Sequence, residues 1–247
     1  MNGMVEKAGR FLSPGLLSLL SSRAMVISLA LLLVLDLVFV SLHFAHLLTL
    51  RYGLQSVFQD PRFSIEMESG FSERFEYVKT AVCVFALLGC WARTRQPIYA
   101  AAAFAFGFVL ADNAFEIHEH LGVAAMPLFM PAARAFETAP QALGEAAAHA
   151  GAAVVVFGLF ALAYRRSGAG HRRTGLAFVA LLAALGAFGA GVDLVHAAVG
   201  PSHNELDLAF GLLEDGGELA ILSAICALSL AAYAELAAER RGGRRAV

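Results

Sequence analysis

The sequence has few charged residues. Only 15% of its 247 residues are Asp, Glu, Lys or Arg, whereas 59% are hydrophobic. The mean hydropathy of +0.68 exceeds that of ordinary soluble domains. The net charge is only −2, and no basic stretch is interleaved with aromatic residues, so we expect no nucleic-acid partner. The composition instead predicts a protein of the lipid bilayer.

Several catalytic and cofactor motifs are also missing. The three cysteines, Cys83, Cys90 and Cys226, lie in apolar runs and form no C-x-x-C pair, so we predict neither a disulfide nor a thiolate metal site. There is no P-loop, G-x-S-x-G elbow or Rossmann glycine pattern, which leaves ATP use and serine-hydrolase chemistry without support. The segment from His118 begins like H-E-x-x-H, but Gly122 replaces the second histidine, so zinc-protease chemistry is not supported.

Six apolar stretches approach or exceed the length needed to cross a bilayer, roughly 20 residues in a helix. They cover residues 24–50, 76–92, 97–121, 148–164, 174–199 and 213–236. We therefore predict an all-α polytopic membrane protein. Its single membrane domain, residues 1–247, would be a bundle of six transmembrane helices.

Lys and Arg are distributed unequally between the two ends of these stretches. Thirteen lie before the first stretch, in the second and fourth connections, and after the last stretch. Only four lie on the opposite side, at Arg51, Arg62, Arg74 and Arg134. The positive-inside rule then predicts that both termini are cytoplasmic.

Acidic and histidine side chains concentrate at the other, non-cytoplasmic side of the predicted bundle. Ionisable groups in membrane helices cost roughly 2.5 to 3.5 kcal/mol each on insertion scales, so they are candidates for function. Six segments contribute them: Asp36, His43 and His46; Glu76 and Lys79; Asp112 to His120; His149; Asp193 and His196; Glu214 to Glu218. The cytoplasmic ends carry Arg but no comparable acid and His groups. This asymmetry argues against simple interfacial polarity.

The spacing of these residues predicts shared helix faces. In a continuous helix of 3.6 residues per turn, Asp112, Glu116 and Glu119 form one stripe, and His118 points away from it. Asp193 and His196 are three residues apart, as are His43 and His46. Pairs at this spacing can reach one ion, as in the carboxylate-bridged metal sites of helical bundles.

A donor set of carboxylates and imidazoles without thiolates suits zinc, iron or manganese. We therefore predict a metal-dependent enzyme, a hydrolase or an oxidoreductase, acting on a lipid or a periplasmic small molecule. Glu214 and Asp112 are the candidate catalytic bases. The candidate metal ligands are His43, His46, His118, Glu119, Asp193, His196 and Glu218.

Two other interpretations stay open at this point. The same groups would serve a transporter or sensor of protons or divalent cations, with Asp36 continuing the site inward. They would also suit an accessory or assembly subunit whose polar network only specifies helix packing. In either case Asp36 needs a partner from another helix or a proton. We expect Lys79 to pair with Glu76, one turn away, and His171 to be solvated in a loop.

Three motifs resemble an uncharacterised group of bacterial multi-span membrane proteins. They are Asp112 followed by His118-Glu119, Asp193-x-x-His196, and Glu214-Asp215-Gly216-Gly217-Glu218. The group often has a second Asp where this chain has Asn113. The resemblance implies that these residues matter as a set and that the protein lies in the bacterial inner (plasma) membrane.

A more distant likeness is to the alkaline ceramidase-type membrane hydrolases. These hold zinc with three His and one Asp inside seven helices. The present chain has six predicted spans and lacks their paired His motif in the last helix. The likeness implies a zinc-dependent hydrolase, and neither resemblance implies an oligomeric state.

Overall fold

The computed structural model describes residues 15–136, 139–199 and 204–245, and within these ranges it is all-α. The helices are α1 (Leu16–Leu20), α2 (Arg23–Tyr52), α3 (Phe71–Thr94), α4 (Pro97–Phe115), α5 (Ile117–Phe136), α6 (Pro140–Arg166), α7 (Ala169–Gly186), α8 (Val192–Val199) and α9 (Asn204–Arg245). A π-helical segment, Ala187–Gly191, joins α7 to α8. Two short 3₁₀ turns, Val57–Gln59 and Pro61–Phe63, lie in the connection between α2 and α3.

Six helical segments are long and apolar enough to cross a membrane, as the hydropathy pattern predicts. They are Arg23–Tyr52, Phe71–Thr94, Pro97–Phe115, Pro140–Arg166, Ala169–His196 and Leu208–Glu239. The second and fourth are longer than the apolar stretches 76–92 and 148–164, because polar residues extend both helices beyond their hydrophobic parts. The cytoplasmic placement of the termini and the single-domain boundary stay predictions.

Helix α9 is the central helix of the bundle. In its apolar window 61% of the residues are buried, compared with 11% in α2. It packs against α2, α3 and α7. Leu222, Ile225 and Leu228 of α9 are almost fully buried, with Cys83 and Leu87 of α3 in the same core. The cysteines therefore act as small packing residues, and many large apolar side chains of the outer helices are exposed on the outside of the bundle.

The third predicted span is interrupted at Glu116. This residue has φ +50° and ψ +41°, a left-handed conformation that ends α4 and is uncommon for a residue other than glycine. The Asp112 carboxylate then accepts a hydrogen bond from the His118 backbone N–H at 3.0 Å, which satisfies one of the free donors of the next helix. The predicted helix through residue 121 is therefore wrong. So is the prediction that His118 points away from Asp112, because a new helix begins at Ile117.

Two glycines bring α5 and α6 into close contact. A Cβ atom on Gly144 would lie 2.6 Å from the carbonyl oxygen of Gly122 and 2.9 Å from its Cα. A Cβ on Gly122 would lie 3.1 Å from the backbone nitrogen of Glu145. The two backbones can approach this closely only because neither residue has a side chain.

The π-helical segment makes room for a charged side chain of α9. A Cβ on Gly189 would collide with the carboxylate of Glu218, and one on Gly217 would collide with the ring of Phe188. Single turns of π-helix often occur at functional sites. Here the glycine of the π-helical segment leaves room for the Glu218 carboxylate of α9 against it.

Candidate functional site

Three side chains from three helices meet in a group that could hold a metal ion. Asp112 of α4, His118 of α5 and His149 of α6 each offer a ligand atom within 4.8 Å of the other two. Asp112 Oδ2 lies 3.2 Å from His118 Nδ1 and 3.7 Å from His149 Nε2. The two imidazole rings are 4.6 Å apart between centroids. We refer to these residues as the triad.

The triad is assembled by the local features of the fold. The break at Glu116 lets the chain turn so that His118 faces Asp112, and the Gly122–Gly144 contact holds α5 against α6, which carries His149. Asp112 is buried, and its two oxygens have different partners: Oδ1 accepts from the His118 backbone, and Oδ2 faces the rings. The Asp112 carboxylate therefore both caps the start of α5 and contributes an oxygen to the triad.

A fourth side chain, that of Glu119, approaches the His118 ring from behind. Glu119 Oε1 lies 3.9 Å from His118 Nε2, on the side of the ring away from Asp112. Histidines that bind metals commonly present their second nitrogen to such a carboxylate. The hydrogen bond to Asp112 raises the pKa of His118, and burial raises the pKa of Glu119. His118 thus keeps its proton to a higher pH than usual, and a metal would have to displace that proton.

The triad borders a strongly acidic cavity of about 380 Å³. Its wall contains eleven carboxylate side chains, together with His118 and His149, and among the described residues that line it there is no Lys or Arg. The acids are Glu66, Glu68, Glu73, Glu76, Glu116, Glu119, Glu145, Asp193, Glu214, Asp215 and Glu218. Clefts lined by charges of one sign concentrate the opposite ion. This acidic cavity is therefore suited to cations.

A second, apolar groove of about 470 Å³ begins where the acidic cavity ends. Its wall consists mainly of Ala, Val, Leu and Phe side chains from α4, α6, α7 and α9. Asn113, His149, Ala190 and Glu218 line both spaces. Because Asp112 lines only the groove and His118 only the acidic cavity, the triad stands at the boundary between a polar and an apolar space.

A buried ion pair lies next to the acidic cavity and is linked to it through Leu219, a lining residue. Lys79 Nζ donates hydrogen bonds to Asp36 Oδ1 at 3.0 Å, to the carbonyl of Leu219 at 2.8 Å and to Ser223 Oγ at 3.3 Å. Ser223 Oγ in turn donates to Asp36 Oδ2 at 2.6 Å. The expected pairing of Lys79 with Glu76 is therefore wrong, since the partner comes from another helix. Asp36 has the interhelical partner that its depth requires.

The other acids predicted from the sequence also lie around the acidic cavity. Asp193, Glu214 and Glu218 line it. His196, one turn after Asp193, instead stacks on Phe210 with ring centroids 5.0 Å apart. It borders a neighbouring cavity of about 500 Å³ that also contains Glu214. The structure thus brings the acids together around one space, with His196 beside it.

His43 and His46 lie apart from the triad and make hydrogen bonds to the α2–α3 connection. His43 Nδ1 accepts a hydrogen bond from the Ile65 backbone N–H at 3.4 Å and lies 3.1 Å from Ser64 Oγ. His46 Nδ1 donates to the carbonyl of Phe58 at 2.7 Å. Both rings are buried and hold the α2–α3 connection against α2. Neither residue belongs to the group of His118 and Asp112 that could hold a metal.

Sequence reasoning did not select His149 as a ligand and assigned Asp112 to catalysis. The one available signal for His149 was its depth in the predicted bundle, since its partners lie on two other helices. A correction is also needed for His171, which is not a solvated loop residue. It lies in α7, is 6% exposed, and its Nδ1 is 3.1 Å from the hydroxyl of Tyr99.

In comparison with protein families, residues 24–232 match the domain of unknown function DUF8692. This range contains all the residues of the triad, the acidic cavity and the apolar groove. Comparison with curated proteins and with solved structures finds no significant match. Because the matched range covers most of the chain, the protein belongs to the DUF8692 family, whose members share a domain of unknown function.

Proposed function

We propose that this protein binds a divalent transition metal at Asp112, His118 and His149 and uses it as a membrane-embedded hydrolase. The observation that carries the proposal is the convergence of three metal-ligating atoms within 4.8 Å at the edge of a cavity. Two imidazoles and one carboxylate form a three-ligand set that leaves a coordination position for water, as in catalytic zinc sites. Iron accepts the same donor set, so the identity of the metal is part of the test.

The surroundings of the triad supply what hydrolysis requires. A bound metal lowers the pKa of its water and polarises a substrate carbonyl. Glu218 lines both spaces that meet at the triad and is the carboxylate we assign as proton acceptor. Water loses a proton to Glu218, its oxygen adds to the carbonyl carbon, and the bond from that carbon to the leaving oxygen or nitrogen breaks. The leaving atom then takes the proton back from Glu218, so the charges balance.

Elemental analysis of the detergent-purified protein tests the metal site directly. We expect about one zinc or iron per chain and loss of most of it in His149→Ala, because two ligands hold such ions far more weakly than three. The matched control is His120→Ala, since His120 is exposed and its Nδ1 bonds only to the carbonyl of Glu116 among the contacts described. A folded wild-type protein without metal, or equal metal in both variants, would contradict the proposal.

Replacing Glu119 tests the orienting role of the residue behind His118. In Glu119→Gln we expect metal affinity to fall by about 10- to 100-fold, the usual effect of removing such a partner. Competition with a chelator of known affinity measures this change. Glu239→Gln is the control, because Glu239 is exposed at the other end of α9. Unchanged metal affinity in Glu119→Gln would remove Glu119 from the site.

A further inference from the structure

We propose that the substrate is an amphiphile with a cationic head group and a single alkyl chain. The head would lie in the acidic cavity, the chain in the apolar groove, and the linkage between them beside the triad. This inference rests on the proposed hydrolase function. It adds a substrate class, which the triad alone does not define.

The apolar groove has the size and lining for a hydrocarbon chain. Its volume of about 470 Å³ falls within the ~300–1,000 Å³ usual for small-molecule sites. Small residues such as Ala150 and Ala153 line one wall, and Phe108, Phe157 and Leu182 are among the larger ones. An alkyl chain placed there gains about 0.8 kcal/mol for each buried methylene group. A polar ligand would gain little from the apolar part of these walls.

The groove is open to the outside of the bundle. Ala183, Gly186 and Gly191 line it and are exposed. Since α6 and the segment from α7 to α8 are long and apolar enough to cross a membrane, their outer surfaces would face lipid. A chain can then enter sideways from the bilayer without crossing water.

The acidic cavity determines the charge of the head group. Eleven carboxylates line it, and among its described lining residues there is no Lys or Arg. A phosphate or carboxylate head would be repelled by the many carboxylates of this lining, whereas an ammonium group would find several carboxylates within reach. Charge complementarity therefore selects a cation, and the volume of about 380 Å³ accommodates a small amine-bearing head.

The two spaces meet at the residues of the proposed chemistry. His149 and Glu218 line both of them. A ligand that fills both spaces must place the junction of its head and chain beside these two side chains. Neither a free metal ion nor a wholly apolar lipid would use both spaces at once.

Direct binding tests the proposal on the full-length protein in phosphatidylcholine nanodiscs. We expect saturable binding of radiolabelled hexadecylamine and at least about tenfold weaker binding of hexadecanoate, which has the same chain and the opposite charge. Ala153→Phe should weaken hexadecylamine binding by about tenfold or more while leaving the metal content unchanged, because the new ring occupies the groove. Ala161→Phe is the matched control, since Ala161 is an exposed residue of the same helix outside the groove.

A second variant tests the head-group site. The double variant Asp193→Asn, Glu214→Gln keeps the size of two side chains in the wall of the acidic cavity but replaces their ionisable carboxyl groups with neutral amides. We expect it to weaken hexadecylamine binding by about tenfold and to leave hexadecanoate binding no weaker. Equal binding of the two probes to the wild type, or normal hexadecylamine binding in Ala153→Phe, overturns the substrate assignment.

The two proposals fail in distinguishable ways. Metal bound at the triad without saturable amine binding overturns the substrate class and leaves the hydrolase proposal standing. Saturable, charge-selective amine binding in a protein that holds no metal overturns the hydrolase proposal, and with it the statement that the bound amphiphile is a substrate.

Discussion

Replacing Lys79 by Met is expected to lower the free energy of unfolding by about 3 to 5 kcal/mol, the usual cost of removing one partner from a buried ion pair. Lys79 is 1% exposed and gives Asp36 its only cation among the described contacts. Without it, Asp36 keeps one hydrogen bond from Ser223 and must carry a buried charge or take up a proton. The melting temperature of the detergent-purified variant measures the effect.

The double variant Asp36→Asn, Lys79→Met is the control for this prediction. It removes both charges together, so no unpaired ion stays in the core, and we expect it to recover most of the lost stability. If Lys79→Met melts at the wild-type temperature, the buried ion pair contributes nothing to stability. If the double variant melts as low as the single one, the loss comes from the Lys79 hydrogen bonds to Leu219 and Ser223 instead.

Gly144→Ala is expected to remove metal binding although it changes no ligand. The new Cβ would lie 2.6 Å from the Gly122 carbonyl oxygen, and this neighbour is backbone that cannot rotate away. Helices α5 and α6 must therefore separate, which moves His118 away from His149. Metal–ligand distances tolerate only about 0.2 Å, so a small separation is enough. Overpacking should also cost about 1 to 3 kcal/mol of stability.

Gly151→Ala provides the matched control on the same helix. A Cβ on Gly151 would have no heavy atom within 4 Å, so the substitution adds helix propensity without a clash and should raise stability slightly. Comparing metal content and melting temperature of the two variants separates the helix contact from the general effect of replacing glycine. Full metal binding in Gly144→Ala would show that the two backbones do not need to approach closely.

Hydropathy and charge spacing predicted the number and order of the apolar helices well, because each span depends on a run of local residues. Apolar runs such as 24–50 and 213–236 read directly as helices of the bundle. The direction in which each predicted helix crosses the membrane also placed the acids at one depth. Asp193, Glu214 and Glu218 do line one cavity. The depth of a residue along a predicted membrane helix can therefore be inferred from the sequence.

The details of the site could not be read in the same way. The break at Glu116 carries no glycine or proline, so only the hydrogen bond from the His118 backbone to Asp112 explains where α5 starts. A continuous helix would point His118 away from Asp112. Because of this contact, His118 instead becomes part of the triad. Helical periodicity fails here because the left-handed Glu116 ends α4 and the Asp112 side chain caps the start of α5 at His118, six positions later in the chain.

The contacts between side chains of different helices were equally impossible to predict from the sequence. Lys79 pairs with Asp36, 43 positions away, whereas sequence reasoning favoured Glu76 at three positions. His149 reaches Asp112 across the bundle and has no acid three or four residues away except Glu145. Interhelical distances depend on close packing at residues such as Gly144, and a single sequence does not contain that geometry.

The ion pair of Lys79 and Asp36 also bears on the transport alternative. Asp36 neutralises Lys79 within the bundle, and Cys83, Leu87 and Ile225 of the core are fully buried. A cation crossing the bundle through this region would have to pass these close-packed side chains. The acidic cavity instead adjoins the apolar groove, with which it shares Asn113, His149, Ala190 and Glu218. We therefore expect ligands to enter and leave the acidic cavity on the same side of the bundle.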